Sequence, residues 1–388
     1  MPHRPIYLDC HSTTPLDERV LAAMIPYFTE HFGNPSSLSH LYGWEAAAAV
    51  KQARQLLADA INATPEEIVF TSGATEANNL AIKGVVEAYF QKGRHIITVQ
   101  TEHSAVLDPY EYLRSLGFEL TLLPVQSDGL IDLSHLEQAC RPDTILVSVM
   151  AANNEIGVLQ PLAAIGAICR QHNILFHTDA AQAIGKIPLD VEAMKIDLMS
   201  MTAHKVYGPK GIGALYVRRR QPRVQLSAQL HGGGHERGMR SGTLYTPQIV
   251  GFSKAVELAL IEQATVAERL TQLRQQLWQQ LQQLHGIHLN GHPSQRLPGN
   301  LNISVEGVDG AALLLGLQPV MAVSSGAACS SAKTAPSHVL TALGHSEQLA
   351  YASVRFGIGR FNTSDEIAQV AEHALSTISG LRKQATLV

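Results

Sequence analysis

The chain has 388 residues, of which 45% are hydrophobic and 16% are charged, and its formal net charge is −4. This composition supplies enough apolar material for a large core and excludes an intrinsically disordered chain. Without a basic excess there is no electrostatic basis for binding nucleic acid, and no apolar run approaches the roughly 18 residues that a membrane-spanning helix needs.

The N-terminal segment and the cysteines indicate the compartment. Residues 1–10, MPHRPIYLDC, lack the apolar stretch of a secretory signal, so we expect a cytoplasmic protein. The four cysteines, at positions 10, 140, 169 and 329, are too few for a disulfide framework in a chain of this length and show no CxxC metal spacing. We therefore expect thiols, and the question is whether one of them is catalytic.

The middle of the chain alternates between two kinds of pattern. A helical spacing of apolar residues over 42–63 is followed by short apolar runs that alternate with amphipathic stretches. Strands are predicted at 67–71, 95–99, 118–124, 144–150, 174–177, 198–202 and 213–217. Helices are predicted between them, notably at 75–91, 132–139 and 162–172. This alternation is typical of an α/β fold with a mostly parallel sheet covered by helices on both faces.

The last part of the chain has a different character. A long helix is predicted from residue 247 to about 284, and beyond it the pattern indicates a smaller α+β unit. Its strands are predicted at 301–305, 320–324 and 353–356, and its helices at 310–317, 336–342 and 364–382. The change of character places a domain boundary near residue 260.

An acid and an amine are predicted at one edge of the large sheet. Asp179 ends one apolar run and Lys205 follows another, and the carboxyl ends of parallel strands share the edge where such folds bind ligands. The pair fits an aldehyde cofactor with a basic ring nitrogen, because the lysine forms a Schiff base while the aspartate keeps the ring protonated. A strand-end salt bridge is an equally good explanation of the pair alone.

A candidate anion site precedes one of the predicted helices. The segment 70–76, FTSGATE, indicates a strand, a glycine turn and a hydroxyl-rich helix start, where backbone N–H groups and the helix dipole favour an anion. An ordinary N-cap has the same signature. Together with Thr202 and His204, just before the lysine, the segment supplies the donors that a phosphate needs.

Histidines mark two further segments. His103 follows an apolar strand, so we expect it at the same edge, where an imidazole can lie over a pyridine ring and transfer protons; a structural histidine is the alternative. His231 and His235 are four residues apart, but the glycines between them disfavour a helix and hence a zinc site. We interpret this segment as a loop that approaches an anion. Its available side chains are Arg240, Ser241 and Thr243.

Cys329 lies among small residues, in the segment SSGAACSSA at 324–332. Cys140 and Cys169, by contrast, fall in apolar periodic runs that are typical of buried thiols. A thiol on a loop of small residues is exposed, as a nucleophile must be in order to reach a substrate and then an acceptor. An incidental loop cysteine is the alternative.

As a set, these residues resemble the pyridoxal-phosphate-dependent cysteine desulfurases of the NifS/IscS group, in the class V aminotransferase family. The resemblance runs over nearly the whole chain, from YLDCHSTTP at 7–15 to RFGIGR at 355–360. The motifs that carry it are FGNPS (32–36), TSGATE (71–76), TEH (101–103), NNEIG (153–157), HTDAAQ (177–182), AHKVYGPKG (203–211) and the glycine segment through Thr243. Their common order and spacing make the resemblance specific.

The resemblance implies the type I fold of pyridoxal-phosphate-dependent transferases, which combines a mostly parallel seven-stranded sheet with a smaller α+β domain. It implies a large cofactor-binding domain at 15–260 and a small domain formed by 1–14 and 261–388, which carries the cysteine loop at about 324–334. It also implies a homodimer in which each subunit completes the site of its partner.

The resemblance assigns roles to matching residues. Lys205 matches the Schiff-base lysine, Asp179 the partner of the ring nitrogen, and His103 the acid/base that stacks on the ring. Gln182 matches the residue that hydrogen-bonds the phenolic oxygen of the cofactor. The other implied cofactor contacts are Gly73, Ala74, Thr75, Asn154, Thr202, His204 and, from the neighbouring subunit, Thr243. The implied substrate contacts are Arg355, whose planar fork suits a carboxylate, and Asn154 and Asn34.

The implied reaction converts L-cysteine to L-alanine with pyridoxal 5'-phosphate as the cofactor and no metal. The Cys329 thiolate attacks the substrate sulfur and becomes a persulfide, from which the sulfur passes to an acceptor such as an iron–sulfur scaffold protein. No direct nucleic-acid or membrane partner is implied.

Three alternatives remain open on the sequence. A selenocysteine lyase or cystine C–S lyase of the same fold is the nearest, and a true C–S lyase does not need a nucleophilic thiol. A catalytically silent homologue would bind no cofactor. A plain aminotransferase would depend on a keto acid as cosubstrate.

Overall fold

A computed structural model of the chain describes residues 4–325 and 336–386. The strands are β1 (Ile6–Tyr7), β2 (Ile68–Thr71), β3 (His95–Val99), β4 (Glu119–Leu123), β5 (Thr144–Ser148), β6 (Leu175–Asp179), β7 (Leu198–Thr202), β8 (Gly213–Val217), β9 (Ile287–Leu289), β10 (Asn300–Val305), β11 (Met321–Ala322) and β12 (Ser353–Gly357). The helices are α1 (Glu18–Met24), α2 (Pro26–Thr29), α3 (Leu41–Asp59), α4 (Ala74–Tyr89), α5 (Ser104–Ser115), α6 (Leu133–Ala139), α7 (Leu162–Gln171), α8 (Thr246–Leu281), α9 (Gly310–Leu317), α10 (His338–Ala342), α11 (Glu347–Tyr351) and α12 (Ser364–Thr386).

The largest sheet has seven strands in the order β2-β8-β7-β6-β5-β3-β4. Strand β8 runs antiparallel to both of its neighbours, and the other neighbouring pairs are parallel. Every strand except the edge strand β4 is buried along its whole length. Burial on both faces explains why these strands are continuous apolar runs in the sequence. The prediction of a mostly parallel seven-stranded sheet is confirmed.

The C-terminal part of the chain contains two small sheets. One is antiparallel, in the order β12-β10-β9, and the other is a parallel pair of β1 and β11. The predicted strand at 320–324 is therefore only two residues long, and its partner is an N-terminal strand that the sequence pattern did not reveal. Strands this short show no alternation that periodicity could detect.

The long helix α8 belongs to two separate cores. Its N-terminal half contributes Ile249, Phe252 and Val256 to the core beneath the large sheet, whereas Leu273 and Leu277 join the core around β10 and β12. Between Ala259 and Leu273 no residue of α8 is buried.

Ionic contacts lie along this middle stretch of α8. Glu262 pairs with Arg19 at 2.6 Å and with Arg360 at 3.3 Å, and Arg360 also pairs with the buried Asp17. Ion pairs therefore help to hold the helix where it passes from one core to the other.

No helix within the two described ranges is both long enough and apolar enough to cross a lipid bilayer.

Candidate active site

A cleft of about 610 Å³ opens at the carboxyl edge of the large sheet. The end of β6 contributes Asp179 to it, and the segments that follow β3 and β7 contribute His103 and Lys205, as their positions at strand ends predict. Of the predicted site residues the cleft is lined by Gly73, Ala74, Thr75, His103, Asn154, Asp179, Gln182, Thr202, His204, Lys205 and Arg355. Residues far apart in the sequence thus meet at one site.

Asp179 is held as a buried acceptor on the floor of the cleft. Its side chain is 5% exposed; Oδ2 accepts a hydrogen bond from Asn78 Nδ2 at 2.7 Å and Oδ1 accepts one from the Ala181 backbone N–H at 2.8 Å. Both contacts fix the orientation of the carboxylate. Asn78 was missed by sequence reasoning, although a polar residue on the fully buried face of α4 is an unusual feature that could have revealed it.

His204 precedes Lys205 in the turn after β7. Burial, followed by the positive charge of Lys205, lowers the pKa of His204 to about 4. Its Nδ1 lies 3.2 Å from Thr13 Oγ1, so a segment near the N-terminus forms part of the wall of the cleft. At neutral pH His204 is therefore an uncharged imidazole, which can donate one hydrogen bond to a phosphate.

The glycine turn before α4 is open to the cleft. Gly73 has φ +155°, a backbone conformation that residues other than glycine rarely adopt. No side chain caps the helix that starts at Ala74. The backbone N–H groups of the first turn consequently face the cleft without the capping contact that the N-cap explanation requires.

The glycine segment at 231–243 contacts this turn. Arg240 donates to the Glu76 carboxylate from Nε at 2.7 Å, and Glu76 also accepts from the Ser72 backbone N–H at 2.7 Å. We expected Arg240 to be available to an anion; the structure instead shows it paired with a carboxylate of the cleft wall. Within the described ranges, no group of three or more His, Cys, Asp and Glu residues is arranged to bind a metal.

His103 has two roles in the structure. It is the N-cap of α5, where its Nδ1 accepts a hydrogen bond from the Ala105 backbone N–H at 3.0 Å, and it lines the cleft. Burial, and then the charge of Lys205, lowers its pKa below the usual value. Because Nδ1 is the acceptor in this contact, the proton of the neutral ring is on Nε2. The structural and the functional interpretations of His103 are therefore compatible.

Arg355 reaches the cleft from β12 and is 1% exposed. One terminal nitrogen donates to Asp9 Oδ1 at 2.7 Å and to Ser12 Oγ at 2.9 Å, and the other donates to the Asn154 carbonyl at 2.8 Å. Its buried Nε has no hydrogen-bond partner among the described residues. The three contacts of the terminal nitrogens hold the guanidinium in a fixed plane at the wall of the cleft.

Asp9 and Ser12 were not singled out as site residues. They lie inside the N-terminal motif at 7–15 that carries part of the resemblance, so the motif itself was the available signal. Their contacts with Arg355 show that the N-terminal segment holds this arginine in place.

Pyridoxal 5'-phosphate suits the chemistry of this set of residues. The uncapped start of α4 can receive a phosphate, the buried Asp179 carboxylate can receive a ring N–H, and Lys205 supplies the amine. The residues present therefore fit the cofactor.

Three predicted site residues are not placed in the cleft. Asn34 is exposed, and its Oδ1 accepts from the Ser36 backbone N–H at 2.9 Å; Thr243 is also exposed, and neither lines the cleft. Cys329 lies outside the described residues.

Comparison with known proteins agrees with the fold and the cleft. The family described as "Aminotransferase class-V" matches residues 6–370. The chain is 55% identical to "Cysteine desulfurase IscS" of Methylococcus capsulatus, over 94% of this chain and 90% of that protein. A solved structure titled "NIFS-LIKE PROTEIN" has a TM-score of 0.90 at 37% identity and covers 97% of this chain and 100% of its own.

A second solved structure, "SspA in complex with cysteine", has a TM-score of 0.82 at 39% identity and covers 92% of this chain and 100% of its own. Identity at this level over nearly the full length of each relative establishes the family. The chain belongs to the class V aminotransferases, in the NifS/IscS group of pyridoxal-phosphate-dependent cysteine desulfurases.

Proposed function

We propose that this protein is a pyridoxal-phosphate-dependent cysteine desulfurase, which converts L-cysteine to L-alanine and takes the sulfur onto Cys329 as a persulfide. The observation that carries the proposal is the cleft, which combines an uncapped helix start, a buried carboxylate, a lysine and a buried guanidinium. The identity to proteins named cysteine desulfurase supports it.

Different residues of the chain would hold the different ends of the cofactor. The first turn of α4 with Thr75, Thr202 and His204 would hold the phosphate, Asp179 the ring nitrogen, and Lys205 the aldehyde carbon. When bound, the cofactor supplies the electron sink that lets the bonds at the substrate α-carbon break. The two hydrogen bonds of Asp179 would hold its carboxylate in place for the ring nitrogen.

Arg355 would bind the substrate carboxylate, because the residue lines the cleft and its planar guanidinium matches a carboxylate. Its terminal nitrogens are already held by Asp9, Ser12 and the Asn154 carbonyl, which fixes the plane of the guanidinium before substrate arrives. Asn154 lines the cleft next to this contact. The two residues can therefore orient the amino acid between the lysine and the arginine.

His103 would move protons at the substrate. Its lowered pKa keeps it uncharged at neutral pH, so it can stack on a cationic ring without repulsion. Proton uptake at Nδ1 must break the hydrogen bond from the Ala105 N–H, because a doubly protonated ring has no acceptor. Each proton transfer would therefore loosen and then restore the N-cap of α5.

Both flanks of the segment that contains Cys329 are attached beside the cleft. Before it, Ser324 exchanges backbone hydrogen bonds with Arg355. After it, Ser337 donates to the Glu155 carboxylate at 2.5 Å and His338 Nε2 donates to the Glu102 carbonyl at 2.9 Å. These anchors support the proposal that Cys329 serves the cleft.

In the proposed transfer, the Cys329 thiolate attacks the substrate sulfur and the carbon–sulfur bond breaks. The bonding electrons stay with the substrate carbon, which is protonated to give alanine, and the sulfur remains on Cys329. The acceptor we propose is a protein, such as an iron–sulfur scaffold, in the cytoplasm. The proposal includes the division into a large domain, 15–260, and a small domain formed by 1–14 and 261–388.

The proposal also includes a homodimer. Phe32, Leu38 and Leu41 are exposed by 64%, 81% and 61%, and they lie in the same stretch of chain as Asn34. Large exposed apolar side chains that cluster in sequence are typical of an interface. Thr243 and Asn34 would then contribute to the site of the partner subunit, which explains why neither reaches the cleft of its own subunit.

The test is incubation of the purified holoenzyme with ³⁵S-cysteine, with mass spectrometry of the protein and a parallel count of alanine. We expect a persulfide on Cys329 and one alanine per sulfur transferred. Cys329→Ala should lose both while its cofactor absorbance persists, and Cys140→Ala, which removes a partly buried thiol, should keep both. Alanine formation that survives in Cys329→Ala would indicate a C–S lyase and reject the persulfide mechanism.

A further inference from the structure

The Gln182 amide is fixed in one orientation by two contacts at its opposite ends. Its Nε2 donates to the His11 carbonyl at 2.7 Å, and its Oε1 accepts from Lys186 Nζ at 3.0 Å. A backbone carbonyl cannot donate a hydrogen bond, so the end of the amide that faces His11 must be the nitrogen. The oxygen then faces Lys186 Nζ, which can donate to it in either protonation state, so this amide is assigned without the usual ambiguity between oxygen and nitrogen.

This orientation determines what Gln182 offers to the cleft. The side chain is 2% exposed and lines the cleft. With one N–H on His11 and the oxygen on Lys186, the second N–H of the amide is the group that remains for a ligand. A fixed N–H donor suits an anionic oxygen on the ligand and rejects a hydroxyl that needs an acceptor.

We infer that Lys186 is a positioning residue, which holds the Gln182 amide with its free N–H toward the phenolic oxygen of the cofactor. This inference rests on the proposed function, because it concerns the cofactor that the function requires. Lys186 would touch neither the cofactor nor the substrate; it acts through the amide.

The surroundings of Lys186 support this role. It lines a small, mainly apolar cavity behind the cleft together with Cys10 and Tyr207. Burial, followed by the charges of Lys205 and Arg355, lowers its pKa to about 7, and the Cys10 side chain acts in the opposite direction. The site disfavours the charged form of Lys186, and the polar contact that the lysine makes there is with the amide oxygen of Gln182.

His11 cannot replace Lys186 in this contact without a change. Its Nδ1 is 3.3 Å from the same Gln182 oxygen, and its Nε2 is buried without a partner among the described residues. Its pKa is well below the usual value, owing first to burial and then to Lys186 and Arg355, so the ring is neutral. A neutral imidazole can either donate or accept at Nδ1 and therefore does not choose between the two amide orientations.

The test is a double-mutant cycle on the full chain with Lys186→Met, Gln182→Ala and the double variant. The affinity for pyridoxal 5'-phosphate is measured by titration of each apoprotein, and the absorption maximum is measured on each holoenzyme. We expect Lys186→Met to weaken cofactor binding about tenfold and to shift the maximum when Gln182 is present. In the Gln182→Ala background the same change should weaken binding less than about twofold, because the amide through which it acts is gone.

Equal effects of Lys186→Met in both backgrounds, or no effect in either, would overturn the inference. Lys51→Met, on the exposed face of α3, is the matched control and should behave as the unmodified protein. If Lys186→Met does not fold, Lys186→Gln takes its place in the same cycle. Failure of the unmodified protein to bind cofactor would reject the proposed function, whereas additive effects in a protein that binds it reject only the role of Lys186.

Discussion

The floor and the rim of the cleft are built in different ways. On the floor, Asp179 and Gln182 are almost fully buried, and each is fixed by contacts at both ends of its polar group. The predicted rim residues Asn34 and Thr243, by contrast, are exposed and do not line the cleft, and Asn34 accepts a hydrogen bond from its own turn. The difference teaches that a single chain preorganises the residues of the floor, whereas the rim residues would reach a site only in the proposed homodimer.

The largest effect is expected on the floor, from Lys205→Ala. Loss of the amine should lower desulfuration by about three orders of magnitude or more, because the covalent attachment of the cofactor is lost. Cofactor content by absorbance and alanine release are the measurements. Lys210→Ala, an exposed lysine that lines the same cleft, is the control and should keep the bound cofactor. A Lys205→Ala enzyme that still desulfurates would remove this lysine from the mechanism.

The burial of His177, in the middle of β6, predicts how the stability of the protein depends on pH. It is fully buried between the Ser148 and Ser200 hydroxyls, and burial lowers its pKa from 6.5 to about 4. The unfolded chain therefore binds a proton here below pH 6.5 whereas the folded chain does so only near pH 4. The free energy of unfolding should fall with decreasing pH across this window, by up to about 3 kcal/mol from this residue.

Denaturant unfolding of the unmodified protein and of His177→Gln, between pH 7 and pH 4, measures this contribution. The variant should show a flatter dependence on pH, and the exposed His135→Gln should show the slope of the unmodified protein. Parallel curves for all three proteins would mean that His177 does not titrate differently in the folded state.

An intermediate effect is expected from Arg355→Lys, which lies between the floor and the rim. Lysine keeps the charge but not the planar fork, so we expect kcat/KM for cysteine to fall about thirtyfold, mainly through KM. Cofactor affinity should change little, because Arg355 contacts Asp9, Ser12 and Asn154 rather than the helix start. Steady-state kinetics with a parallel cofactor titration separates the two outcomes. A loss of cofactor with unchanged KM would contradict a role in substrate binding.

The smallest effect is expected on the rim, from Thr243→Val. Loss of one hydroxyl donor should weaken cofactor binding about fivefold, and Ser241→Ala is the neighbouring control. The sharper test mixes Thr243→Val subunits with Lys205→Ala subunits. If Thr243 serves the partner, each mixed dimer has one intact site, because the Lys205→Ala subunit supplies an unaltered Thr243 to the site that keeps its lysine. No gain of activity on mixing would mean that Thr243 acts in its own subunit or not at all.

The sequence was informative about the floor for a physical reason. Parallel strands buried on both faces are continuous apolar runs, and the residue that follows each run lies at a common edge, so Asp179, Lys205 and His103 could be predicted to meet. The contact of Asn78 with Asp179 could not be predicted, because it depends on how α4 packs against β6, although the buried polar position on α4 was a signal for the residue itself. Strand β1 could not be predicted either, because its two residues pair with β11, which is far away in the sequence. Long-range packing leaves no local pattern to detect.

The middle of α8 has a consequence for how the protein responds to its medium. This 36-residue helix is about 54 Å long, and it crosses from one core to the other where ion pairs around Glu262 replace apolar packing. Arg19, one of the partners, is 49% exposed, so dissolved salt screens its attraction to Glu262. Ionic strength therefore acts on the attachment of this stretch of α8 to α1, and we expect the melting temperature to fall slightly as salt is added.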